Sequence, residues 1–264
     1  MIYVSVKGER VPALGFGTWR LSGEACREAV EDALSIGYRH IDTAQMYGNE
    51  TEVGAAIQAA GVDRREVFLT TKIWPDNLAA EDVRRTSEES LRRLKTDYVD
   101  LLLIHWPNER VPLEETLDAM MELQREGKTH HIGVSNFSPD LFRQAVAHAP
   151  IFCNQVEYNP FVSQQALLEL ARLEDALLTA YRPLARGEVL SEPTLREIGA
   201  RHGKNPAQVA LRWLLQQENV AAIPKAARPE HRRSNFDIFD FELSEDEMRR
   251  ISSIGQRERT RVLR

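Results

Sequence analysis

The chain has 264 residues, with 34 Lys and Arg against 40 Asp and Glu, for a net charge of −6. The length suits one large domain and lies near the usual size of an eight-fold β/α barrel, and the acidic balance argues against a nucleic acid or other polyanion as the main partner. The N-terminus shows no basic-then-apolar signal and no apolar run approaches membrane-spanning length, so a cytoplasmic protein is expected. The two cysteines, Cys26 and Cys153, stand outside any C-x-x-C pair or metal spacing and read as buried thiols in a reducing compartment.

Residues 3–6 and 11–14 read as two short strands joined by Lys7-Gly8-Glu9-Arg10, a hairpin ahead of the main fold. Gly15 and Gly17 follow. They could begin a dinucleotide fingerprint, but Arg20 stands where the third glycine belongs, so the better reading is close backbone packing at a strand end. A helix over about 22–36 ends at Gly37. Tyr38–Asp42 is a strand, and the next helix starts near Asn49. Residues 67–72 are β-branched and aromatic, a strand ending in Lys72. The helix at about 79–95 carries Glu81–Arg85, Arg84–Glu88, Glu88–Arg92 and Glu89–Arg93 at i,i+4, which marks a solvated face.

Tyr98–Ile104 is an almost unbroken apolar run, the pattern of a strand buried on both faces. A helix over 112–126 opens at Pro112 and stops at Gly127. A strand at 132–134 precedes Ser138-Pro139, an N-cap and first-turn proline. A strand at 151–156 is followed by a helix with Ser163 as its expected cap. After a strand at 176–180 come two helices, the second opening at Asn205-Pro206. Ala221–Ile223 is the last strand. Ser244-Glu245-Asp246-Glu247 has the spacing of a capping box.

That alternation gives about eight strands, each followed by a helix, in one domain over 1–264. A (β/α)8 TIM barrel with an N-terminal β-hairpin fits best, and a doubly wound sheet is the runner-up. A barrel places active-site groups at the C-terminal ends of its strands. Asp42, Lys72 and His105 fall at such ends, as do Ser135, Asn136, Gln155 and Tyr181. Tyr47 lies on the loop just past Asp42.

Four of these groups suit carbonyl chemistry. Reduction needs hydride at carbon and a proton at oxygen, and tyrosine, with a reference pKa of about 10, is a weak acid near neutrality. An ammonium beside it stabilises the tyrosinate. Lys72 could be that ammonium, Asp42 would keep it charged, and His105 could hydrogen-bond the substrate oxygen. Each residue alone also has a plain structural reading: a loop tyrosine, a surface lysine, a turn aspartate, a core histidine. Their joint placement favours the site.

At this point the sequence resembles the aldo-keto reductase family over nearly its whole length. The resemblance is carried by G-F-G-T-W at 15–19, D-T-A-x-x-Y-G-N-E at 42–50, T-T-K-I-W at 70–74 and L-L-I-H-W-P at 102–107. G-V-S-N-F at 133–137, N-Q-V-E-Y-N-P at 154–160, A-Y-R-P-L at 180–184, I-P-K at 223–225 and Asn235 follow in family order. It implies a barrel that binds NADPH or NADP+ at the strand C-termini. Tyr47 would be the general acid/base, Lys72 and Asp42 its modulators, and His105 the group that orients the substrate. It implies Ser135, Asn136 and Gln155 around the nicotinamide carboxamide, with Tyr181 stacked on the ring. Gly17, Thr18, Trp19, Asp42, Arg182 and Leu184 would also lie along the cofactor. Ile223, Lys225, Arg228, His231 and Asn235 would hold the adenosine half. Arg232 and Arg233 add to the basic character of that segment, or form a solvated loop. Ala226 stands where the family often has a small hydroxyl residue, and His231 where it often has arginine.

Trp19, Trp74 and Trp106, beside Tyr47 and His105, would line an apolar cup for a small-molecule carbonyl substrate. Short connections after His105 and Tyr181, and an end at Arg264 without a long tail over the cup, resemble the compact bacterial members, such as 2,5-diketo-D-gluconate and methylglyoxal reductases. The implied activity is reduction of aldehydes and ketones, including α-dicarbonyls, aromatic aldehydes and keto sugar acids. An NADP(H)-binding sensor or partner subunit with slow turnover is the alternative. A metal hydrolase using His40 with Asp42, or His130 with His131, lacks a convincing ligand set, and no metal is expected. No interface stripe stands out, so a monomer is expected.

Overall fold

A computed structural model gives the structure, described here over residues 2–255. Strands β1 (Tyr3–Val6) and β2 (Glu9–Pro12) pair antiparallel. Their turn is tighter than expected: Lys7 and Gly8 both take positive φ, and Glu9 and Arg10 belong to the second strand.

Eight parallel strands follow in one sheet: β3 (Phe16–Gly17), β4 (His40–Asp42), β5 (Phe68–Ile73), β6 (Val99–Ile104), β7 (Thr129–Ser135), β8 (Ile151–Glu157), β9 (Leu177–Tyr181) and β10 (Val220–Ala222). Each is hydrogen-bonded to its neighbour in chain order. The sheet closes on itself at one seam. Leu14 bridges Ala222 in parallel, Gly15 N donates to Ala222 O at 2.8 Å, and Gly17 N to Pro224 O at 3.1 Å. The seam explains Gly17, because a Cβ there would lie 2.8 Å from the Ile223 carbonyl oxygen. The glycines serve close backbone approach, as the missing third glycine suggested.

Helices α1 (Gly23–Ile36), α2 (Glu50–Ala59), α3 (Ala80–Leu94), α4 (Leu113–Arg125), α5 (Pro139–His148), α6 (Gln165–Leu173), α7 (Pro193–His202), α8 (Pro206–Leu215), α9 (Pro229–Phe236) and α10 (Glu245–Ser252) accompany the strands. Ser138 caps α5 through Leu141 N, and the boxes at Asn205 and Ser244 both form. Ser163 does not cap α6, which begins two residues later behind Gln164, without a side-chain cap. On α3, Glu89 pairs with Arg85 and Arg93, whereas Glu88 reaches across to Lys128 at 2.5 Å instead of to Arg92.

The hairpin covers the end of the barrel opposite the strand C-termini. Lys7 N donates to Asp175 Oδ2 at 2.8 Å, just before β9, and Pro12 O meets His40 Nδ1 at 3.2 Å, at the start of β4. His131 stacks on Phe152 near the same end, and His130 on Tyr98. His131 therefore packs the floor while His130 stays exposed on Tyr98, and His40 lies at the opposite end of its strand from Asp42. Cys26 and Cys153 are both buried and unbridged. No helix among the described residues is long and apolar enough to cross a membrane. The expectation about the chain's last residues falls on 256–264, outside those described.

Candidate active site

Asp42 ends β4 and Lys72 lies one residue from the end of β5, both almost completely buried. The Lys72 ammonium donates to Asp42 Oδ1 at 2.6 Å, to Thr43 O at 2.8 Å and to the Tyr47 hydroxyl at 3.3 Å. Burial works against the charge on Lys72. The Asp42 carboxylate and the Tyr47 oxygen outweigh it, so the lysine pKa lies above its ordinary value. Asp42 Oδ2 accepts from Gln155 Nε2 at 2.8 Å, so both carboxylate oxygens are engaged.

Tyr47 sits on a 3-10 turn (Gln45–Tyr47) directly after β4. Burial raises its phenol above the usual value, and the Lys72 ammonium pulls part of that shift back. The sequence led us to expect a lowered value from Lys72, but desolvation outweighs it. His105 follows the end of β6. Its ring meets Tyr47 edge-on, with centroids 5.7 Å apart. Burial, and secondly the Lys72 charge, push His105 down to about 3, so it is neutral near pH 7. Its Nδ1 is buried with no hydrogen-bond partner among the described residues.

These groups open on a cleft of about 860 Å³ at the strand C-termini. Ser135 donates to Gln155 O at 2.8 Å, and Asn136 Nδ2 to His105 O at 2.9 Å. Asn136 adopts φ of 64°, a conformation asparagine tolerates well. Tyr181 Oη donates to Asn136 Oδ1 at 2.8 Å, which fixes the phenol ring at the cleft wall. Arg182 is held by Glu157 at 3.0 Å, and its guanidinium lies 5.2 Å from the Trp19 ring centroid.

The cleft brings together most of the residues the sequence singled out. Gly17, Trp19, Asp42, Tyr47, His105 and Trp106 line it at one end. Ser135, Asn136, Gln155, Tyr181, Arg182 and Leu184 line its middle by their strand positions, and Ile223, Lys225, His231 and Asn235 follow. Four residues stand differently. Lys72 is buried behind Tyr47. Thr18 is buried and uses its hydroxyl to donate to Asp42 O at 2.9 Å. Trp74 stands behind His105, ring edge to ring face at 5.5 Å. Arg228 precedes α9, with its side chain 72% exposed and outside the cleft lining.

The basic segment also divides in a way the sequence did not show. Arg232 is no solvated residue. It is buried, bound to Asp32 Oδ2 at 2.6 Å and to the carbonyls of Ala226 and Ala227. Arg233 leans on the same aspartate. Lys225 is the cation that remains toward the cleft from this segment, and His231 lines the cleft as well.

Sequence reasoning missed the segment after Arg182. Residues Ala185–Ser191 form a kinked 3-10 stretch, and Arg186, Gly187, Val189 and Leu190 line the cleft. Positive φ at Arg182, Ala185, Arg186 and Gly187 makes the kink, and only Gly187 advertised it in the sequence. Met46 also lines the cleft, exposed beside Tyr47.

The aldo/keto reductase family model matches residues 13–256. The chain belongs to the aldo/keto reductase family. Among its relatives, a methylglyoxal reductase DkgB of Escherichia coli O157:H7 is 39% identical over 94% of this chain and 95% of its own length. An aldo-keto reductase of Mycobacterium sp. (strain KMS) is 41% identical over 94% of this chain and 90% of its own length. Among solved structures, a candidate 2,5-diketo-D-gluconic acid reductase B shares 48% identity at a TM-score of 0.94, over 96% of this chain and 91% of that one. The thermostable aldo-keto reductase Tm1743, solved with the inhibitor epalrestat, shares 43% identity at a TM-score of 0.92, over 97% of this chain and all of that one. This aldo/keto reductase thus carries the fold and the strand-end residues that the sequence motifs implied.

Proposed function

We propose that this chain reduces aldehydes and ketones to alcohols with NADPH, in a reducing compartment such as the cytoplasm. The observation that carries the reading is the contact of Tyr47 with the buried Lys72 ammonium, beside a neutral histidine and at the mouth of a large cleft.

The residues fit such a cofactor. Tyr181 offers a flat ring, locked by Asn136. Arg20, Arg186 and Lys225 line the cleft without a carboxylate partner among the described residues, in a protein of net negative charge. Uncommitted cations along one groove suit a phosphorylated ligand. The cleft positions of Lys225 and His231 support a part for them in discriminating a 2′-phosphate, whereas Arg232 is committed to Asp32.

When bound, the cofactor supplies hydride to the carbonyl carbon. Tyr47 gives its hydroxyl proton to the carbonyl oxygen, and the product is the alcohol. The raised phenol pKa means that this proton is in place at neutral pH. Lys72, 3.3 Å away, stabilises the phenolate left behind. Asp42 keeps Lys72 charged, and Gln155 keeps Asp42 in place. In His105, a proton on the buried Nδ1 would have no acceptor among the described residues. The Nε2–H tautomer follows, and it donates to the carbonyl oxygen and sets its angle toward Tyr47.

The experiment is NADPH oxidation by the purified chain with methylglyoxal, an aromatic aldehyde and a diketo sugar acid, alongside Tyr47→Phe. Turnover in the parent that collapses in Tyr47→Phe while NADPH still quenches tryptophan fluorescence is the expected result. Quenching without turnover in the parent would assign a cofactor sensor instead. Absence of both would remove the nicotinamide cofactor from the reading.

A further inference from the structure

We infer that Gln45 is a positioning residue for Tyr47, and that the buried carboxylate of Glu50 sets the orientation in which Gln45 works; the inference rests on the reading of Tyr47 as proton donor. The turn that carries Tyr47 is one residue triplet long, with Gln45 and Tyr47 half-buried. Met46 points out, 44% exposed. The Tyr47 ring packs edge-on against His105 and its hydroxyl meets Lys72, while the turn that carries it is held by polar anchors.

Gln45 supplies them. Its Oε1 accepts from the backbone N–H of Trp74 at 3.0 Å and from Asn77 Nδ2 at 3.2 Å. Its Nε2 donates to Ser90 Oγ on α3 at 3.3 Å. Trp74 directly follows β5, the strand of Lys72, and its ring backs His105. One amide thus ties the Tyr47 turn to the strand carrying its ammonium and to the residue behind its histidine.

An amide can be turned end for end, and the network decides which way it faces. Glu50 begins α2 with its side chain 1% exposed. Its Oε1 accepts from Thr71 Oγ1 at 2.6 Å, and its Oε2 from Arg93 Nε at 2.8 Å and from Ser90 Oγ at 3.3 Å. Because the Ser90 proton goes to Glu50, the serine oxygen is left to accept, and only the NH2 end of Gln45 can answer it. That turns the Gln45 oxygen toward Trp74. The network also grips Thr71, the neighbour of Lys72 on β5. Every member is satisfied, the condition under which a buried polar network rigidifies its surroundings.

The test uses the full chain with tyrosine labelled with carbon-13 at Cζ, the Tyr47 resonance being assigned by its absence in Tyr47→Phe. In Gln45→Ala the Tyr47 resonance is expected to move while that of Tyr38, buried far from the turn, stays. Misplacement by about 1 Å costs on the order of 100-fold in rate, so kcat with methylglyoxal should fall about 10- to 100-fold while the NADPH dissociation constant stays within about twofold. Gln45→Glu keeps the oxygen that Trp74 and Asn77 need but sets a carboxylate against the Ser90 oxygen and beside the buried Glu50, so it should not recover the loss. Glu50→Gln should shift the Tyr47 resonance in the same direction as Gln45→Ala. An unmoved Tyr47 resonance in Gln45→Ala overturns the inference whatever the turnover. A fall in kcat matched by an equal loss of NADPH affinity also overturns it, because general loosening would do that. A parent inactive on every carbonyl would sink the reductase reading alone, and the resonance would still decide whether Gln45 positions Tyr47.

Discussion

Gln155 Nε2 on β8 donates to Asp42 Oδ2 on β4 at 2.8 Å, across the mouth of the barrel. The sequence marked Gln155 for the carboxamide of a nicotinamide, yet its amide nitrogen is already committed to the carboxylate that holds Lys72. Gln155→Leu should therefore destabilise the chain even without ligand. Leaving a buried carboxylate oxygen short of a donor costs about 1–3 kcal/mol. Urea unfolding of the ligand-free protein measures it. Unchanged stability would restrict Gln155 to ligand contact.

Lys72 and Asp42 form a fully buried ion pair. Removing one member leaves the other charged and unpaired, which costs about 3–5 kcal/mol. Lys72→Met should show that loss in urea unfolding, and turnover should vanish with it. The double variant Lys72→Met with Asp42→Leu should regain much of the stability and none of the turnover. A double variant less stable than Lys72→Met would mean that Asp42 has another buried partner of comparable weight.

The basic segment after Ile223 offers a separation of roles. Arg232→Ala leaves the half-buried Asp32 to the more exposed Arg233 and should cost about 1–3 kcal/mol, leaving the ratio of NADPH to NADH affinity unchanged. Lys225→Ala should do the reverse, keeping stability and weakening NADPH about tenfold more than NADH, through loss of a charge-assisted contact. Arg228→Ala should change neither. Titrations of tryptophan quenching with both cofactors read the ratio. Equal weakening of both by Lys225→Ala would place the 2′-phosphate elsewhere.

Burial depresses three histidines, His40, His105 and His131, below their ordinary value. Below about pH 6.5 the unfolded chain takes up protons at these sites that the folded chain refuses. Stability should be full above that pH and fall steadily toward pH 5, before most carboxylates titrate. His105→Gln should flatten part of the slope. The same depression, to about 3 for His105, predicts a kcat profile without an acid limb near pH 6.5. A limb there that disappears in His105→Gln would show that His105 titrates in the working enzyme.

The strand ends were legible because barrel strands are apolar along their length, and a Lys or His closing such a run stands out. The run at 98–104 became β6 almost unchanged. Polar residues hid other elements. His130 and His131 begin β7, which starts at Thr129 and not at residue 132, because those rings stack on aromatics. Helix α9 was missed altogether. Its eight residues, P-E-H-R-R-S-N-F, carry almost no apolar stripe, and its anchor is Arg232 reaching Asp32 on α1, a pairing across 200 residues. Pairings of that span leave no periodicity to read. The balance of forces on Tyr47 was equally hidden, since its neighbours could be named from the motif but the depth of its burial could not.

The seam where Leu14 meets Ala222 also bears on how the molecule comes into being. The first barrel strand must wait for the last, and loops closed over such a span cost entropy before any contact rewards them. Gly17 and Asp42 sit beside that seam, and Ile223 to Asn235 follow it. During synthesis the ligand groove therefore has no walls until most of the chain has left the ribosome. Refolding should show its slowest phase in the recovery of cofactor binding, after the helical signal has returned.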